Sequence, residues 1–281
     1  MGALRREGGE GVPRLWVEAD RSVYYEHYRR AGGPTVVLLH GWGSTARVWD
    51  SVVPAMLDHG HSVVTLDQRC HGRSDMDFEQ VSVAALVSDV LQLVDHLELD
   101  RVLLNGWSMG GTIALDAGLE LSTRLAGLVL TCSLPRATHA PDWPWGMASA
   151  DFAGLATRIR TDRLGAFYDM AAASIGDDDP QQIEWGVRMK LESGPRAADL
   201  ILDLVDHDSR SVAAAIGVPV LVVGAEWDKI VTPEAVRALA SIVPRSELAM
   251  IAKSGHTPML EAPVAYAAAL CPYVDRLMEC S

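Results

Sequence analysis

The stretch Gly106-Trp107-Ser108-Met109-Gly110 decides the fold of this chain. It follows the apolar run at residues 102–104, which predicts a buried strand, and it leads into residues 109–115, which are typical of a helix. A serine between strand and helix, with glycines two positions before and after it, forms a nucleophile elbow. Small residues are needed on so tight a turn because the strand and the helix pass closely. The pattern therefore predicts a strained turn that exposes the Ser108 hydroxyl.

Composition indicates a globular protein with a large core. The chain has 281 residues, 49% of them hydrophobic, which suits one large α/β domain with an inserted lobe. The formal net charge of −13 argues against nucleic acid and anionic membranes as partners, because Lys and Arg supply most of the affinity for phosphates. No apolar stretch reaches the roughly 18–20 residues that cross a bilayer. We expect a monomer or homodimer that binds neither nucleic acid nor membrane.

The first residues and the cysteines both bear on location. Residues 1–13 carry charges but no apolar segment, so they predict a flexible tail rather than a secretory signal. The irregular spacing of the four cysteines is typical of reduced, mostly buried thiols. They are Cys70, Cys132, Cys271 and Cys280. We expect a cytoplasmic protein.

Strand and helix patterns alternate in two parts of the chain, residues 14–133 and 212–281, which we predict to form one core. Strands are predicted at residues 15–18, 23–28, 35–39, 62–66, 102–104, 127–130, 220–223 and 247–251, the first two as a hairpin. Helical periodicity covers residues 46–57, 81–97 and 264–278. This alternation predicts a mostly parallel sheet with helices on both faces and an antiparallel start.

The strand pattern stops between the two parts. Three prolines, Pro135, Pro141 and Pro144, are followed by helical patterns at residues 152–159, 164–173, 183–191 and 197–205. We interpret residues 134–211 as a helical cap inserted between two core strands. Ligands bind at the carboxyl edge of such sheets, where Ser108 lies, so a cap above that edge would build the substrate pocket.

Residues after two later strands predict the partners of Ser108. A serine hydroxyl needs a histidine base that is oriented by a carboxylate, and in this arrangement the chain order is Ser, acid, His. Asp228 follows the strand at residues 220–223, and His256 follows the strand at residues 247–251. The competing acids, which fit the surface or a helix end better, are Asp203, Asp206 and Asp208.

Two backbone N–H groups are needed to stabilise a developing oxyanion. One is expected from Met109, directly after the nucleophile. The other is expected from the loop His40-Gly41-Trp42-Gly43 after the first parallel strand, where we predict Trp42 as the donor. His40 fits a role in ordering this loop better than a role as a second base.

Motifs in fixed order make the chain resemble the α/β-hydrolase superfamily. They lie at residues 40–43, 67–74, 106–111, 224–228 and 255–256. The resemblance covers the chain from about residue 15 onward except the cap, and it implies an α/β-hydrolase fold with an eight-stranded sheet and a helical cap. The pairing of His-Gly-Trp-Gly with Gly-Trp-Ser-x-Gly-Gly, together with Trp143-Pro144, resembles the pimeloyl-ACP methyl ester carboxylesterase type. Residues 69–74 and 257–259 depart from that type, which leaves the substrate open.

The resemblance implies a serine esterase that cleaves a small-molecule ester or related acyl substrate through an acyl-enzyme, without metal or organic cofactor. The same triad also serves lactone hydrolysis, carbon–carbon bond hydrolysis and cofactor-free peroxidation, because fold alone does not fix function. A non-catalytic binder is the alternative from another class, although a pure receptor has no need of the histidine base.

Two groups of residues are candidates for contacts with the substrate. An apolar pocket lining is expected of Trp42, Trp107, Met109, Trp143, Trp145, Met147 and Met259. For Trp143 and Trp145, ordinary core packing is an equal alternative. The cap also carries Arg158, Arg160 and Arg163, which could form a basic patch for an acidic acyl carrier or simply an exposed helix face.

Overall fold

The computed structural model describes residues 12–30 and 34–279. Most of the predicted tail (residues 1–11) and Cys280 lie outside the described residues. Eight strands form one sheet in the order β1-β2-β4-β3-β5-β6-β7-β8. They are β1 Arg14–Glu18, β2 Arg21–Tyr28, β3 Thr35–Leu39, β4 Val63–Asp67, β5 Val102–Trp107, β6 Leu125–Thr131, β7 Val220–Ala225 and β8 Ser246–Ile251.

The sheet is antiparallel only at its start. β1 pairs with β2 and β2 pairs with β4 in antiparallel fashion, whereas every pairing from β4 through β3, β5, β6 and β7 to β8 is parallel. All residues of β3, β4, β5, β6 and β7 are buried, as expected for strands covered on both faces. The predicted sheet, including the hairpin, is confirmed.

Helices cover both faces of the sheet. In the described residues they are α1 Val52–Asp58, α2 Val83–His96, α3 Met109–Leu121, α4 Ser149–Thr161, α5 Arg163–Ser174, α6 Pro180–Leu191, α7 Ala197–Asp206, α8 Arg210–Ala215, α9 Pro233–Ile242, α10 Pro258–Glu261 and α11 Pro263–Glu279. Alternate residues of β3 enter two different hydrophobic clusters: Val37 and Leu39 pack with α2 and α3, and Val36 and Leu38 pack with α1 and α11. None of the described helices combines the length and apolarity of a membrane span.

The prediction of one helix over residues 46–57 is wrong. The structure has a short 3-10 helix at Ala46–Trp49 and then α1, which begins at Val52. Pro54 supplies the physical reason, because it has no N–H and its ring clashes with the carbonyl four residues earlier in a continuous helix. Proline is tolerated in the first turn, and Pro54 lies in the first turn of α1.

Of the five helices between β6 and β7, α4 to α7 pack mainly on one another, whereas α8 packs against α3 and α9. α4 lies against α7 and α5 against α6, with an apolar cluster among α4, α5 and α7. The four helices expected in this segment are present at nearly the predicted positions, and α8 adds a fifth that crosses the expected boundary at residue 211. The division into core and cap stays a prediction.

A buried ion pair ties the loop after β4 to α2. The Arg69 guanidinium donates to both carboxylate oxygens of Asp89, at 2.6 and 2.7 Å, and also to Glu18. The side chains of Arg69 and Asp89 are only 4% and 2% exposed. A charge so thoroughly removed from water depends on its partner.

Replacing Arg69 by Met is expected to lower the free energy of unfolding by about 3–5 kcal/mol, because the Asp89 carboxylate is left buried and unpaired. Urea denaturation measures the change. The matched control is Arg237→Met, which removes an exposed pair with Glu234 and is expected to cost less than about 1 kcal/mol. Equal midpoints for Arg69→Met and the wild type would contradict a structural role for the pair.

Candidate active site

Ser108 lies on a strained turn between β5 and α3. Its φ of 54° and ψ of −122° are unfavourable for a residue with a side chain. The turn is held by hydrogen bonds from Ser108 N–H to the Thr131 carbonyl (2.9 Å) and from Gly111 N–H and the Ser133 hydroxyl to the Ser108 carbonyl (2.9 and 2.8 Å). Strained backbone that its surroundings hold so firmly is typical of functional sites.

The structure brings Ser108, His256 and Asp228 together. The His256 Nε2 lies 3.0 Å from the Ser108 hydroxyl oxygen, and its Nδ1 lies 2.8 Å from an Asp228 carboxylate oxygen. The other carboxylate oxygen of Asp228, Oδ1, accepts the backbone N–H groups of Ile230 and Val231, which lie in the same loop. The side chains of His256 and Asp228 are 5% and 0% exposed. This is the geometry of a nucleophile, a base and an orienting acid.

Contacts from three directions hold the His256 ring in place. The Trp107 indole N–H donates to the His256 carbonyl at 2.6 Å, with ring centroids 5.5 Å apart. The His256 N–H donates to the Ser174 carbonyl at the end of α5. Glu261 of α10 accepts the N–H groups of Gly255 and Thr257 on either side of the histidine. Glu261 was not identified from the sequence. A threonine before a short helix, followed four residues later by a glutamate, was the available signal for this contact.

Of the three competing acids, Asp206 is exposed at the end of α7, and the other two lie in other interactions. Asp203 accepts the N–H of Val83 at the start of α2. Asp208 forms ion pairs with Arg136 and Arg210. Neither is bonded to His256, whose carboxylate partner is Asp228.

The loop after β3 is ordered by two buried histidines. The His40 ring accepts the Gln68 N–H at Nε2, and its Nδ1–H donates to the Gly41 carbonyl. In the same manner, the His71 Nε2 accepts the Gly43 N–H while its Nδ1–H donates to the Arg69 carbonyl. Both rings are therefore neutral, and burial lowers the pKa of His40 to about 4 and the pKa of His71 to about 3.

The two expected oxyanion donors belong to the loop after β3 and to the first residue of α3. The Gly43 N–H is used by His71, and Gly41 is so close that a Cβ there would lie 3.0 Å from Ser108 Cβ. Trp42 stands between them, and its indole N–H donates to the Ala197 carbonyl at 2.7 Å, which joins the loop to α7. Met109 is the first residue of α3, where a backbone N–H has no partner within the helix. The expected oxyanion donors, Trp42 and Met109, keep this role as a prediction.

Burial of a neutral histidine makes stability depend on pH. The pKa of His71 is about 3 in the folded protein and roughly 6.5 when unfolded, so the unfolded state binds more protons between these values and stability falls as the pH is lowered. We expect the unfolding free energy of the wild type to fall between pH 7 and pH 5 by about 2 kcal/mol more than that of His71→Gln.

Urea titrations at the two pH values give this difference. His139→Gln is the control, since its side chain is exposed and it should retain the wild-type difference. Equal pH dependence of His71→Gln and the wild type would mean that His71 is not the buried neutral group described above.

A cavity of about 340 Å³ opens onto Ser108 and His256, and its wall is mainly apolar. The core contributes Trp42, Trp107, Met109, Cys132 and Ile230, and the inserted helices contribute Phe152, Leu155, Met170 and Ile201. Met147, which precedes α4, also lines it. A larger cleft of about 610 Å³ lies elsewhere, along β2 and α1, and neither Ser108 nor His256 borders it.

Two of the residues predicted to line the pocket lie elsewhere. Trp143 is 4% exposed and packs in the core, where its indole N–H donates to the Arg136 carbonyl. Met259 is fully buried in the cluster that includes α1 and α11. Trp145, the other candidate, is 36% exposed and does not border the described cavity. These corrections have one cause, since apolar side chains suit core and pocket equally.

The three arginines considered as a possible basic patch are engaged within the protein. Arg158 pairs with Asp169 at 2.6 Å, and Arg160 pairs with Asp199 at 2.8 Å. Arg163 donates to the Ser193 carbonyl and lies over the Phe167 ring. Because each guanidinium already has a protein partner, the arrangement does not favour a basic docking patch.

Among the described residues, two groups of side chains have donor sets that suit a metal ion. Cys132, Asp228 and His256 lie at the candidate triad, but the last two already bond to each other. Burial and the neighbouring Asp228 raise the pKa of the Cys132 thiol well above its usual value, so it is not a ready thiolate ligand. The second group, His59, His61 and Asp275, lies at α1 and α11, where Asp275 accepts from both rings.

Comparison with known proteins agrees with the fold and the order of the motifs. The sequence model of the alpha/beta hydrolase family matches residues 36–269. The chain is 28% identical over 260 residues to the pimeloyl-(acyl-carrier protein) methyl ester esterase of Edwardsiella ictaluri, covering 90% of this chain and 98% of that protein. The esterase of Exiguobacterium antarcticum has a TM-score of 0.86 at 22% identity, with 94% of this chain and 99% of that one covered.

A lactone-cleaving enzyme shares the same fold. The enol-lactonase of Burkholderia xenovorans LB400 has a TM-score of 0.81 at 21% identity, with coverage of 94% of this chain and 100% of that one. The chain belongs to the alpha/beta hydrolase family. Within it, the chain is similar to the pimeloyl-(acyl-carrier protein) methyl ester esterases, as its motifs predicted.

Proposed function

We propose that this hydrolase cleaves carboxylic esters with Ser108 as nucleophile, His256 as base and Asp228 as orienting acid. The observation that carries the proposal is the continuous hydrogen-bond chain from the Ser108 hydroxyl through both nitrogens of His256 to Asp228. A serine hydroxyl is a weak nucleophile at its free pKa, so this chain of contacts is what an acyl-transfer enzyme requires. Relatives named esterases add support.

The first half of the reaction forms an acyl-enzyme. His256 Nε2 takes the hydroxyl proton as the Ser108 oxygen attacks the ester carbonyl, and Asp228 stabilises the resulting imidazolium. The backbone N–H groups of Trp42 and Met109 hold the oxyanion of the tetrahedral intermediate. When the intermediate collapses, the ester C–O bond breaks and His256 returns the proton to the departing alkoxide.

Hydrolysis of the acyl-enzyme repeats these steps with water as nucleophile. His256 removes a proton from water, the hydroxide adds to the acyl carbonyl, and the Ser108 oxygen leaves with that proton as the free hydroxyl. Every proton in the cycle passes through His256, so none of these steps calls for a metal or an organic cofactor. A lactone is an internal ester and would follow the same path.

The cavity indicates the size and polarity of the substrate. Its volume of about 340 Å³ and its apolar wall suit a small ester with an aliphatic or aromatic part. Part of that wall comes from α4, α5 and α7, and we propose that residues 134–211 act as a cap which selects the substrate. The similarity to pimeloyl-(acyl-carrier protein) methyl ester esterases favours an acyl chain of medium length.

Covalent labelling by a fluorophosphonate, followed by a substrate screen, tests the proposal. We expect the probe to label the wild type on Ser108, and p-nitrophenyl esters of graded acyl length to be hydrolysed faster than five- and six-membered lactones. Absence of labelling in the folded wild type would overturn the proposal and favour a binding protein. Faster turnover of lactones than of all the esters would make the chain a lactonase.

A further inference from the structure

Lys190 is a buried lysine in the wall of the cavity that opens onto Ser108 and His256. Lys190 belongs to α6, is 6% exposed, and borders the same cavity as Ser108 and His256. Its stem rests on the loop after β3, where a Cβ placed on Gly43 would lie 3.3 Å from Lys190 Cγ. The lysine therefore reaches the cavity beside the loop that carries Trp42.

The ammonium group of Lys190 has no counter-charge in the part of the chain that the structure describes. No hydrogen bond or ion pair of this group is found there, and burial alone lowers its pKa to about 8. The other ionisable side chains at the cavity have partners: Arg158 pairs with Asp169 at 2.6 Å, and His256 bonds to Asp228 at 2.8 Å. Lys190 is thus a buried cation that stays mainly protonated at neutral pH.

A buried charge without a partner is costly, by several kcal/mol even after the protein relaxes. An opposite charge brought into the cavity would offset this cost, and the substrate is what enters there. In so apolar a cavity an ion pair with a carboxylate is strong because little water screens it. Lysine suits this task as a compact point charge on a flexible stem.

We propose that Lys190 binds a carboxylate carried by the ester substrate, so that the preferred substrates are half-esters of dicarboxylic acids. This inference rests on the proposed esterase function. The proposed site would distinguish a free half-ester from an acyl chain bound to a carrier. In the latter, the far end is a thioester and has no free carboxylate. Lys190 then determines specificity, while Ser108 and His256 perform the chemistry.

The test compares matched substrates. The monomethyl esters of the linear five-, six- and seven-carbon dicarboxylic acids are assayed beside the same esters in which the free carboxyl is a carboxamide. For the wild type we expect kcat/KM to favour the acid over the amide by at least about 10-fold for the best chain length, mainly through KM. In Lys190→Met this ratio should fall to about 1, and Lys190→Arg should retain most of it.

Arg160→Met is the matched control, because Arg160 is a cation of the inserted helices that pairs with Asp199 and does not border the described cavity. It should keep the wild-type ratio. A wild type without preference for the acid, or a Lys190→Met variant that keeps the preference, would overturn the inference.

Failure of the esterase proposal can be told apart from failure of this one. If neither ester is turned over, calorimetric titration of the Ser108→Ala protein with the same compounds shows whether the carboxylate site exists. Tighter binding of the acid than of the amide, abolished by adding Lys190→Met, supports the carboxylate site without esterase activity. Equal binding of both overturns it.

Discussion

Replacing Ser108 by alanine is expected to lower kcat for ester hydrolysis by roughly 10⁵-fold or more, since the attacking oxygen is removed. His256→Ala should cost about as much, because the hydroxyl without its base is a poor nucleophile. The double variant should lose little beyond either single one, as the two groups act as a unit. Asp228→Asn should cost about 10⁴-fold through the wrong ring tautomer of His256.

Steady-state hydrolysis of p-nitrophenyl esters and the extent of fluorophosphonate labelling measure these losses. Ser241→Ala, which changes an exposed serine of α9, is the matched control and should keep wild-type activity. Additive losses in the Ser108/His256 double variant would contradict the proposed pairing. Full activity of Ser108→Ala would place the nucleophile elsewhere.

Three positions of the candidate site could be predicted because strand ends locate side chains. Ser108, Asp228 and His256 each follow a parallel strand, and the carboxyl ends of parallel strands meet at one edge of the sheet. Chain order and the glycines of the elbow then separate these residues from other serines, aspartates and histidines. The strands of the sheet could also be predicted, because a continuous apolar run such as β3 indicates a buried strand whatever its neighbours in the fold are.

Residues that act through distant contacts could not be predicted. His71 stabilises the loop after β3 from the loop after β4, and its bond to Gly43 spans 28 residues of sequence. Lys190 lies on a helix, where a lysine normally faces water, but in the folded protein it is buried, with its stem against the loop after β3. The same holds for the misplaced pocket residues Trp143 and Met259, because hydrophobic character does not reveal which apolar surface a side chain contacts.

Gly106→Ala is expected to lower the free energy of unfolding by at least about 3 kcal/mol, because the new methyl group would overlap backbone atoms. A Cβ at Gly106 would fall well inside van der Waals contact with the Gly110 carbonyl and the Gly111 nitrogen. Backbone atoms at the start of α3 cannot rotate away as a side chain can. The strand and the helix must separate, which breaks the buried packing between β5 and α3.

The same separation would displace the nucleophile, so Gly106→Ala should lose both stability and fluorophosphonate labelling. Urea denaturation, with labelling below the transition, measures the two effects. Gly154→Ala is the matched control: Gly154 lies in α4 with nothing within 4 Å of the added Cβ. It should gain up to about 1 kcal/mol, since alanine is the better helix residue. A Gly106→Ala protein with wild-type midpoint and labelling would show that the elbow does not need its glycine, and the tight turn that presents Ser108 to His256 would then be wrong.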